Sequence, residues 1–585
     1  MRYRVLATDY DNTLATDGRV PAPTLDALHK LRASGRDAVL VTGRELDDLL
    51  AVFPEAPRVF GRIVAENGGV IYRPDTNERR LLAGPPPPAF VAAMRERGVA
   101  HLGVSETLVA TVRPYEQIAL DAIRDLGLDL HVVFNGDAVM IVAPGVSKAS
   151  GLVAALDELG LSTHNAVGVG DGENDHPLVD VCECGVAVAN AVPSLREHAD
   201  IVTDAVAGAG VIELIDELIG NDLADRAVRR RELLIGRDDA SGAEVRIAPY
   251  GTVMLVTGPS SSGKSKMTRG FLERLAAAQY QFCVIDPEGD HEGAACTVSL
   301  GDASSAPGVD DVVGVLRSSR QNVVANLMRV PAADRPRFCA ELLPSLQKLR
   351  AQTGRPHWVV VEEAHHLLPA QWDAAASVLP AYFDTALVVT PHPDSLASAL
   401  LAQTDAVLAA GEDACATLAA FAARRDLPTP CCDGVPTPQH GQMLLWQPGA
   451  EVPGPRVVTP ASGRGEHRRH VRKYAEGLLI PERSFYFRGP ERKLNLRAHN
   501  LTLFIELAQG VDDDTWRFHL AHGDYSRWFA DVIGDDDLAE AAREIEAHAD
   551  APADESRARL CDAITERYTQ PENPTLPAPK PAAGH

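Results

Sequence analysis

Acidic side chains stand at the ends of two apolar, β-branched runs in the first third of the chain. Asp9 and Asp11 follow the run RVLAT, and Asp171 and Asp175 belong to the sequence GDGEND, which follows NAVGVG. Because the carboxyl ends of parallel strands meet along one edge of an α/β sheet, we expect these four carboxylates to lie close together. Their mutual repulsion requires a hard divalent cation, and Mg2+ suits a set of oxygen ligands.

Two further polar residues are predicted to lie at the same edge of the sheet. Thr42 closes the apolar run DAVLVT, and Lys148 precedes a segment with helical periodicity. The lysine would neutralise anionic charge that the metal leaves unbalanced. The first third of the chain therefore predicts a magnesium site with room for a phosphate.

A second pattern, GPSSSGKS at residues 258 to 265, matches the phosphate-binding GxxxxGK[ST] motif. It follows the run TVMLVT and precedes a helical segment, which is the setting that a P-loop needs. Lys264 would reach the outer phosphates, and Ser265 would ligate Mg2+. The motif predicts binding of ATP or GTP. The candidate nucleotide-binding residues are Gly258, Ser262, Gly263, Lys264, Ser265 and Glu362.

Two adjacent glutamates end the apolar run HWVVV. Glu362 suits a carboxylate in a metal shell, and Glu363 suits a base that polarises water, so the pair predicts hydrolysis of the nucleotide. His365 and His366 follow, and we expect the two rings to face different ways and to pack or cap.

The elements that must position these residues form an α/β multidomain chain. Short β-branched runs alternate with amphipathic stretches, which is typical of parallel sheets flanked by helices. A polar helix is predicted at Asp222 to Leu234, between two such series. The predicted units are an α/β domain at 1–219 with an inserted α/β cap at about 84–145, a second α/β domain at 220–460, a mainly helical domain at 461–570 and a disordered proline-rich tail at 571–585.

Composition limits the classes of protein to consider. Apolar residues make up 45% and charged residues 23% of the 585 residues, as in water-soluble globular proteins. The absence of a long apolar run and of a signal-like start predicts a cytoplasmic protein without membrane contact. A net charge of −25 disfavours nucleic acid as a partner. The nine cysteines form no CxxC pair, so reduced thiols are expected.

The motifs DYDNTL, VTGR, the isolated Lys148 and GDGENDHPLV occur in the order found in the haloacid dehalogenase-like (HAD) superfamily. The set resembles its Cof-type branch, which has an α/β cap of the C2B kind. The resemblance implies a Mg2+-dependent phosphatase in which Asp9 is the nucleophile that forms an aspartyl-phosphate, and Asp11 is the acid and base. Thr42 and Lys148 would hold the phosphoryl oxygens. The implied metal set is Asp9, Asp11 through its carbonyl, Asp171, Asn174 and Asp175.

The short cap implies a small phosphorylated metabolite as substrate, with phosphoglycolate as a candidate by analogy to phosphatases of this branch. An alternative is a phosphometabolite sensor that regulates the second domain.

The P-loop, VIDPEGD and VVTPHPDSL together resemble the HerA/FtsK-type P-loop ATPases, which include DNA-translocating and secretion motors. The resemblance implies ATP hydrolysis, an oligomer formed through this domain and an arginine finger, for which Arg424 and Arg425 are candidates, although a solvated helix end is the expected role. Glu362 and His392 depart from the usual residues, and no β-barrel precedes the P-loop, so a DNA-translocating motor is kept as an alternative.

The C-terminal segment resembles an uncharacterised helical domain of bacterial proteins. His519, His522 and Asp524 have ligand-like spacing, but buried or capping roles are expected. The basic run at 464 to 473 could contact nucleic acid, and an exposed linker is the expected role.

Overall fold

The protein is described here from a computed structural model. The structure describes residues 1–226, 228–259, 262–291, 296–302, 304–371, 383, 385–449, 454–461, 479, 484–533, 535–548 and 551–568. The predicted tail at 571–585 and the basic run at 464 to 473 lie outside these residues.

The first sheet has eight strands in the order β12-β11-β10-β1-β2-β3-β4-β5. Its strands from β12 to β3 are parallel, and β4 and β5 add an antiparallel edge. The strands are β1 Val5–Thr8, β2 Asp37–Val41, β3 Arg62–Ala65, β4 Val70–Arg73, β5 Glu78–Leu81, β10 Ala166–Gly170, β11 Cys184–Ala187 and β12 Ile201–Val202. The helices are Ala22–Ala33, Leu46–Val52, Ala56–Val59, Lys148–Leu159, His176–Val181, Pro193–His198 and Ala207–Asn221.

The central strands are buried on both faces, as their continuous Val, Ile and Leu content predicts. This arrangement is the Rossmann-like α/β fold that the sequence predicts for this part of the chain.

A smaller antiparallel sheet with two helices is inserted between β5 and the helix Lys148–Leu159. Its strand order is β6-β7-β9-β8, and Phe90, Met94 and Val139 pack together in its core. The strands are β6 Gly103–Val104, β7 Leu108–Val112, β8 His131–Asn135 and β9 Ala138–Val142, and the helices are Pro88–Glu96 and Glu116–Leu126. We call these elements the cap.

The second large sheet has eleven strands in the order β14-β13-β23-β22-β21-β15-β20-β19-β16-β18-β17. The strands from β21 to β17 are parallel, and the other four are antiparallel to their neighbours. The strands are β13 Leu233–Asp238, β14 Glu244–Ile247, β15 Val253–Thr257, β16 Phe282–Asp286, β17 Thr297–Leu300, β18 Asn322–Asn326, β19 Trp358–Val361, β20 Ala386–Thr390, β21 Ala406–Ala409, β22 Met443–Trp446 and β23 Arg456–Pro460. The described helices are Lys264–Ala277, Val309–Leu316, Arg335–Thr353, Ser398–Leu401 and Ala414–Arg424.

The helix predicted at Asp222 to Leu234 does not form. The structure has a short 3-10 turn at Arg229–Arg231, after which β13 begins at Leu233. The Arg230 and Arg231 side chains donate hydrogen bonds to the Cys182 carbonyl, at 3.0 and 2.7 Å. These tertiary contacts outweigh the weak helix propensity of the segment.

The C-terminal part packs short helices around an aromatic core that includes Phe485, Phe504, Trp516 and Tyr525. It also contains a hairpin of β24 Phe485–Phe487 and β25 Leu496–Ala498. The helices are Leu501–Gly510, Asp513–Ala521, Asp524–Trp528, Asp536–Glu546 and Ala553–Tyr568, with a π-turn at Phe529–Ile533. Within the residues that the structure describes, no helix is long and apolar enough to span a bilayer. All nine cysteines are described, and each is a free thiol.

The two large sheets contact each other through residues that precede their parallel strands. The Tyr280 hydroxyl donates to Glu183 at 2.9 Å, just before β16 and β11. The Tyr250 hydroxyl donates to the His164 carbonyl at 2.9 Å, ahead of β15 and β10. His357, ahead of β19, lies 3.3 Å from the Asn165 amide oxygen. We call this set of buried polar contacts the inter-sheet network.

Candidate functional site

The first candidate site lies at the carboxyl ends of β1, β2 and β10. Asp9 follows β1, Thr42 follows β2 and Asp171 follows β10, so the topology carries these residues to one edge of the sheet. Carboxylate oxygens of Asp9, Asp171 and Asp175 lie within 4.8 Å of one another. The structure thus brings together three of the four carboxylates that the sequence places there.

Lys148 is the positive charge of this cluster. Its Nζ donates to Asp9 Oδ1 at 2.5 Å and to Asp175 Oδ1 at 2.6 Å, and its side chain is only 1% exposed. Burial lowers the pKa of Lys148, but the Asp175 and Asp9 charges outweigh that effect and raise it. The pKa of Asp9 stands well above its usual value because burial outweighs the attraction of Lys148. The ammonium group is therefore held charged between two carboxyl groups.

The helix Lys148–Leu159 fixes where that lysine sits. Its first turn is closed by a capping box in which Ser147 and Ser150 exchange hydrogen bonds. Gly151 lets the helix approach the loop after β3 closely, since a β-carbon there would lie 2.7 Å from the Gly68 Cα atom.

Asp175, Asn174 and Asp171 complete the acidic side of the site. Asp175 Oδ2 accepts the backbone N–H groups of residues 171 and 172 at 3.0 and 2.9 Å. The Asn174 amide donates to Asn67 at 3.3 Å, while its buried Oδ1 has no hydrogen-bond partner among the described residues. Burial and the neighbouring Asp175 raise the pKa of Asp171 to about 6. Crowded carboxylates and an unsatisfied amide oxygen form a ligand set that suits Mg2+.

The Asp11 carboxylate does not join the other three, contrary to the expectation of a four-carboxylate cluster. Arg44 donates two hydrogen bonds to the Asp11 carboxylate, from Nε at 2.7 Å and from Nη2 at 2.6 Å. The Asp11 carboxylate is thus held in a bidentate ion pair with Arg44 and not in the cluster of Asp9, Asp171 and Asp175. Thr42 is next to this pair, and its Oγ1 accepts the Arg44 N–H at 3.1 Å.

The sequence predicts no role for Arg44, which is the last residue of the motif VTGR. The motif could have indicated a role for this arginine, because it places Arg44 two residues after Thr42, a candidate phosphate-binding residue.

The cap reaches the rim of this site. The Gly136 N–H, in the turn between β8 and β9, donates to Glu173 at 3.1 Å. A β-carbon on Gly172 would collide with the Asn135 side chain of the same turn. At the other rim Glu66, with φ +52°, accepts 2.7 Å hydrogen bonds from the Thr107 backbone and hydroxyl groups. The cap therefore closes over the carboxyl end of the sheet.

The second candidate site is formed by β15, by residues 258, 259, 262 and 263, and by the helix Lys264–Ala277. The Lys264 Nζ donates to the Gly258 carbonyl at 2.8 Å and to the Pro259 carbonyl at 2.7 Å. Gly258 has φ +142°, and a β-carbon there would lie 2.7 Å from the Ala410 carbonyl. The buried Ser262 Oγ has no partner within the described ranges, and Ser265 is exposed in the first helical turn. The lysine thus closes the loop at the helix N-terminus.

Glu362 and Glu363 face this loop from the end of β19. Glu362 pairs with the buried His291 at 2.9 Å. Glu363 adopts a left-handed backbone with φ +44°, which a non-glycine residue adopts at an energetic cost. Burial and the charges of Glu288 and Glu362 raise its pKa to about 7. A carboxylate that gains a proton near neutral pH has the property required of a general base.

The expectation that His365 and His366 face different ways is wrong. Their ring centroids lie 3.9 Å apart, because a 3-10 turn follows the left-handed Glu363 and replaces strand alternation. His365 Nδ1 lies 3.1 Å from the Thr390 hydroxyl and 3.5 Å from a Glu363 oxygen. His392 is 5.3 Å from the His365 ring.

Two other sets of candidates have structural roles. Arg424 donates to the Asp394 carbonyl at 2.6 Å, and Arg425 donates to the Ala402 carbonyl at 2.8 Å, so both arginines bind neighbouring backbone at a helix end. His522 caps the Phe518 carbonyl at 2.6 Å, and His519 pairs with Asp524.

The N-terminal part of the chain is similar to known phosphatases. The family described as haloacid dehalogenase-like hydrolase matches residues 6–90 and 115–215. The phosphoglycolate phosphatase of Methanothermobacter thermautotrophicus is 33% identical over 230 residues, which are 37% of this chain and 99% of that protein. The phosphoglycolate phosphatase of Halorubrum lacusprofundi is 36% identical over 211 residues, which are 34% of this chain and 89% of that protein.

The crystal structure of a haloacid dehalogenase-like hydrolase from Bacteroides thetaiotaomicron is 19% identical, with a TM-score of 0.32. The match covers 37% of this chain and 99% of that one.

Proposed function

The chain belongs, through roughly its first 230 residues, to the haloacid dehalogenase-like hydrolase family, and we propose that this part is a Mg2+-dependent phosphatase that forms an aspartyl-phosphate on Asp9. Phosphatase activity on phosphorylated substrates follows from the family. The cluster of Asp9, Asp171, Asp175 and Lys148 is the observation that carries the proposal for the site.

The chain's own groups account for the main steps. An Asp9 oxygen attacks phosphorus, and Lys148 and Thr42 bind the phosphoryl oxygens. Asp9, Asp171 and Asp175, with the Asp11 carbonyl and Asn174 beside them, would hold Mg2+, which neutralises charge on the transferring group. Asp11 protonates the leaving oxygen and then takes a proton from the hydrolytic water. Its carboxylate must exchange the Arg44 pair for substrate to do so.

The substrate that we propose is a small phosphomonoester, with phosphoglycolate as the first candidate. The relatives over this part of the chain are phosphoglycolate phosphatases. The cap supports the same size class, because it is short and its β8–β9 turn contacts Glu173 at the rim of the site.

We also propose that the part built on the eleven-stranded sheet binds and hydrolyses ATP, and that the domains divide near residues 220 and 460. Support comes from the contacts of Lys264 with the Gly258 and Pro259 carbonyls and from Glu362 and Glu363 at the end of β19, which β20 separates from β15. Glu363, with a pKa of about 7, is the proposed base, and Glu362 the proposed carboxylate of the metal shell.

One experiment separates the two activities. Phosphate release from phosphoglycolate and from ATP is measured with the wild type, Asp9→Asn and Lys264→Ala, each with Mg2+ and with a chelator. Asp9→Asn should lower phosphoglycolate hydrolysis by about a thousandfold or more, since the nucleophile is lost, and should leave ATP hydrolysis unchanged. Lys264→Ala should give the opposite pattern.

Asp26→Asn makes the same substitution on the exposed face of the helix Ala22–Ala33 and serves as the control. Phosphoglycolate hydrolysis that survives in Asp9→Asn would reject the nucleophile, and ATP hydrolysis that survives in Lys264→Ala would reject the second site.

A further inference from the structure

A pocket of about 740 Å3 opens in the C-terminal part of the chain, and its lining shares no residue with either site described above. Strand β24, the turn Pro490–Arg492 and the helices Asp513–Ala521 and Asp524–Trp528 form its walls. Its volume falls within the range of about 300 to 1,000 Å3 that is usual for small-molecule sites. The pocket is therefore large enough for a ligand of nucleotide size.

Three arginines line this pocket. Arg527 is paired with Asp524, 3.2 Å from NH1 to Oδ1. Arg488 and Arg492 are exposed, and neither pairs with a carboxylate in the described part of the chain. Unpaired guanidinium groups that converge on one cavity stand out in a chain with a net charge of −25. Their planar donors suit the oxygens of a phosphate group.

The backbone of Arg488 and the side chain of Arg527 are held in place before any ligand arrives. His519 Nε2 accepts the Arg488 N–H at 2.9 Å, so its Nδ1 carries the proton that is donated to Asp524 at 2.8 Å. Asp524 in turn pairs with Arg527. Buried His519 thus links the backbone of one arginine to the side chain of another, and such preorganisation lowers the cost of binding.

Backbone strain is concentrated at the same rim. Glu491 and Arg492 both have left-handed backbones, with φ of +58° and +56°. Each such residue costs of the order of 1 kcal/mol or more, and these outliers cluster at ligand sites because the surrounding structure must hold them. The strain therefore marks the turn that carries Arg492 as a binding element.

Aromatic side chains form another part of the lining. Tyr486 and Phe518 are half-buried, and Trp528 is 6% exposed. The Arg488 guanidinium lies 5.1 Å from the centre of the Tyr486 ring. Flat rings beside phosphate-binding groups suit a nucleobase, which stacks on aromatic faces.

We propose that this pocket binds a free mononucleotide, with the arginines on its phosphate and the aromatic side chains on its base. A single nucleotide fits the cavity volume. The strongly negative chain would repel a long polyanion, so a free nucleotide is favoured over a nucleic acid strand.

The test uses AMP and the full chain carrying Lys264→Ala. AMP lacks the outer phosphates that a P-loop binds, and the substitution removes the lysine that would bind them at the second candidate site. Binding is followed by tryptophan fluorescence, since Trp528 lines the pocket, and by calorimetry. Arg488→Ala and Arg492→Ala should each raise the Kd for AMP about tenfold, the usual effect of losing one charge-assisted hydrogen bond. Arg517→Ala is the matched control: it removes the same charge from an exposed position on the helix Asp513–Ala521, outside the lining, and should leave Kd unchanged.

Inorganic phosphate, adenosine, a 5′-phosphorylated tetranucleotide and a phosphoserine peptide are the comparison probes. AMP binding at least tenfold tighter than phosphate and than adenosine would support the proposal. Equal binding of phosphate and AMP, tighter binding of the tetranucleotide or the peptide, equal losses in Arg517→Ala, or no binding of AMP would each overturn it.

Discussion

Lys148 balances two buried carboxylates, so its removal should affect stability as well as activity. In Lys148→Met, Asp9 and Asp175 would face each other without their shared partner. Breaking a buried ion pair from one side costs about 3–5 kcal/mol, which we expect as a lower free energy of unfolding in urea denaturation. Added Mg2+ should restore part of the loss, because the ion binds only the folded cluster.

Lys30→Met is the control, as Lys30 is exposed on the helix Ala22–Ala33 and should change the free energy of unfolding by less than about 0.5 kcal/mol. Equal stability of the two variants would contradict the role of Lys148.

Individual residues differ in how far the sequence predicted them. Asp9, Asp171 and Lys148 were predictable to lie near one another, because each follows or precedes an element whose type the hydrophobic pattern indicates. The pairing of Asp11 with Arg44 was not, since the direction of a side chain depends on which partner lies within reach in the folded chain.

At the scale of elements, the helix Lys148–Leu159 must lie close against the loop at Gly68 for its lysine to reach Asp9. In Gly151→Ala, the new methyl group would meet the Gly68 backbone, which cannot rotate away as a side chain could. We expect a loss of about 1–3 kcal/mol in the free energy of unfolding and a lower rate of phosphomonoester hydrolysis.

Gly314→Ala provides the comparison, because Gly314 is helical and nothing lies within 4 Å of its added β-carbon. That variant should gain about 0.4–1 kcal/mol through a less flexible unfolded chain. If Gly151→Ala and Gly314→Ala changed the denaturation midpoint and the activity by the same amounts, the close approach at Gly151 would be unimportant.

The predicted strands of both sheets formed where β-branched runs stand, because burial on both faces selects such residues. The predicted helix at Asp222 to Leu234 failed for the opposite reason. Its polar pattern has little preference for a helix, and Arg230 and Arg231 donate hydrogen bonds to the Cys182 carbonyl, about fifty residues earlier in the chain. A local sequence pattern does not indicate contacts between residues that are far apart in the chain.

At the scale of the whole molecule, His357 makes the inter-sheet network sensitive to acid. Burial, and then the His164 and Arg355 charges, hold the pKa of His357 well below its usual value of about 6.5. The unfolded chain therefore takes up a proton below about pH 6.5 that the folded chain excludes, so the contribution of His357 to stability falls as the pH drops through that region, while the raised pKa values of Asp171 and Glu363 act in the opposite direction.

We expect the melting temperature of His357→Gln, which cannot titrate, to rise relative to that of the wild type as the pH drops from about 6.5 to 5. His29→Gln, at an exposed helical position, should keep the wild-type slope. An unchanged slope in His357→Gln would assign the acid sensitivity to other groups.

The inter-sheet network joins the starts of the parallel strands of both sheets, whereas each candidate site lies where those strands finish. Each candidate site therefore lies at the end of its sheet that is farther from this network. The covalent link thus keeps the two candidate sites in a one-to-one ratio, with the inter-sheet network between them.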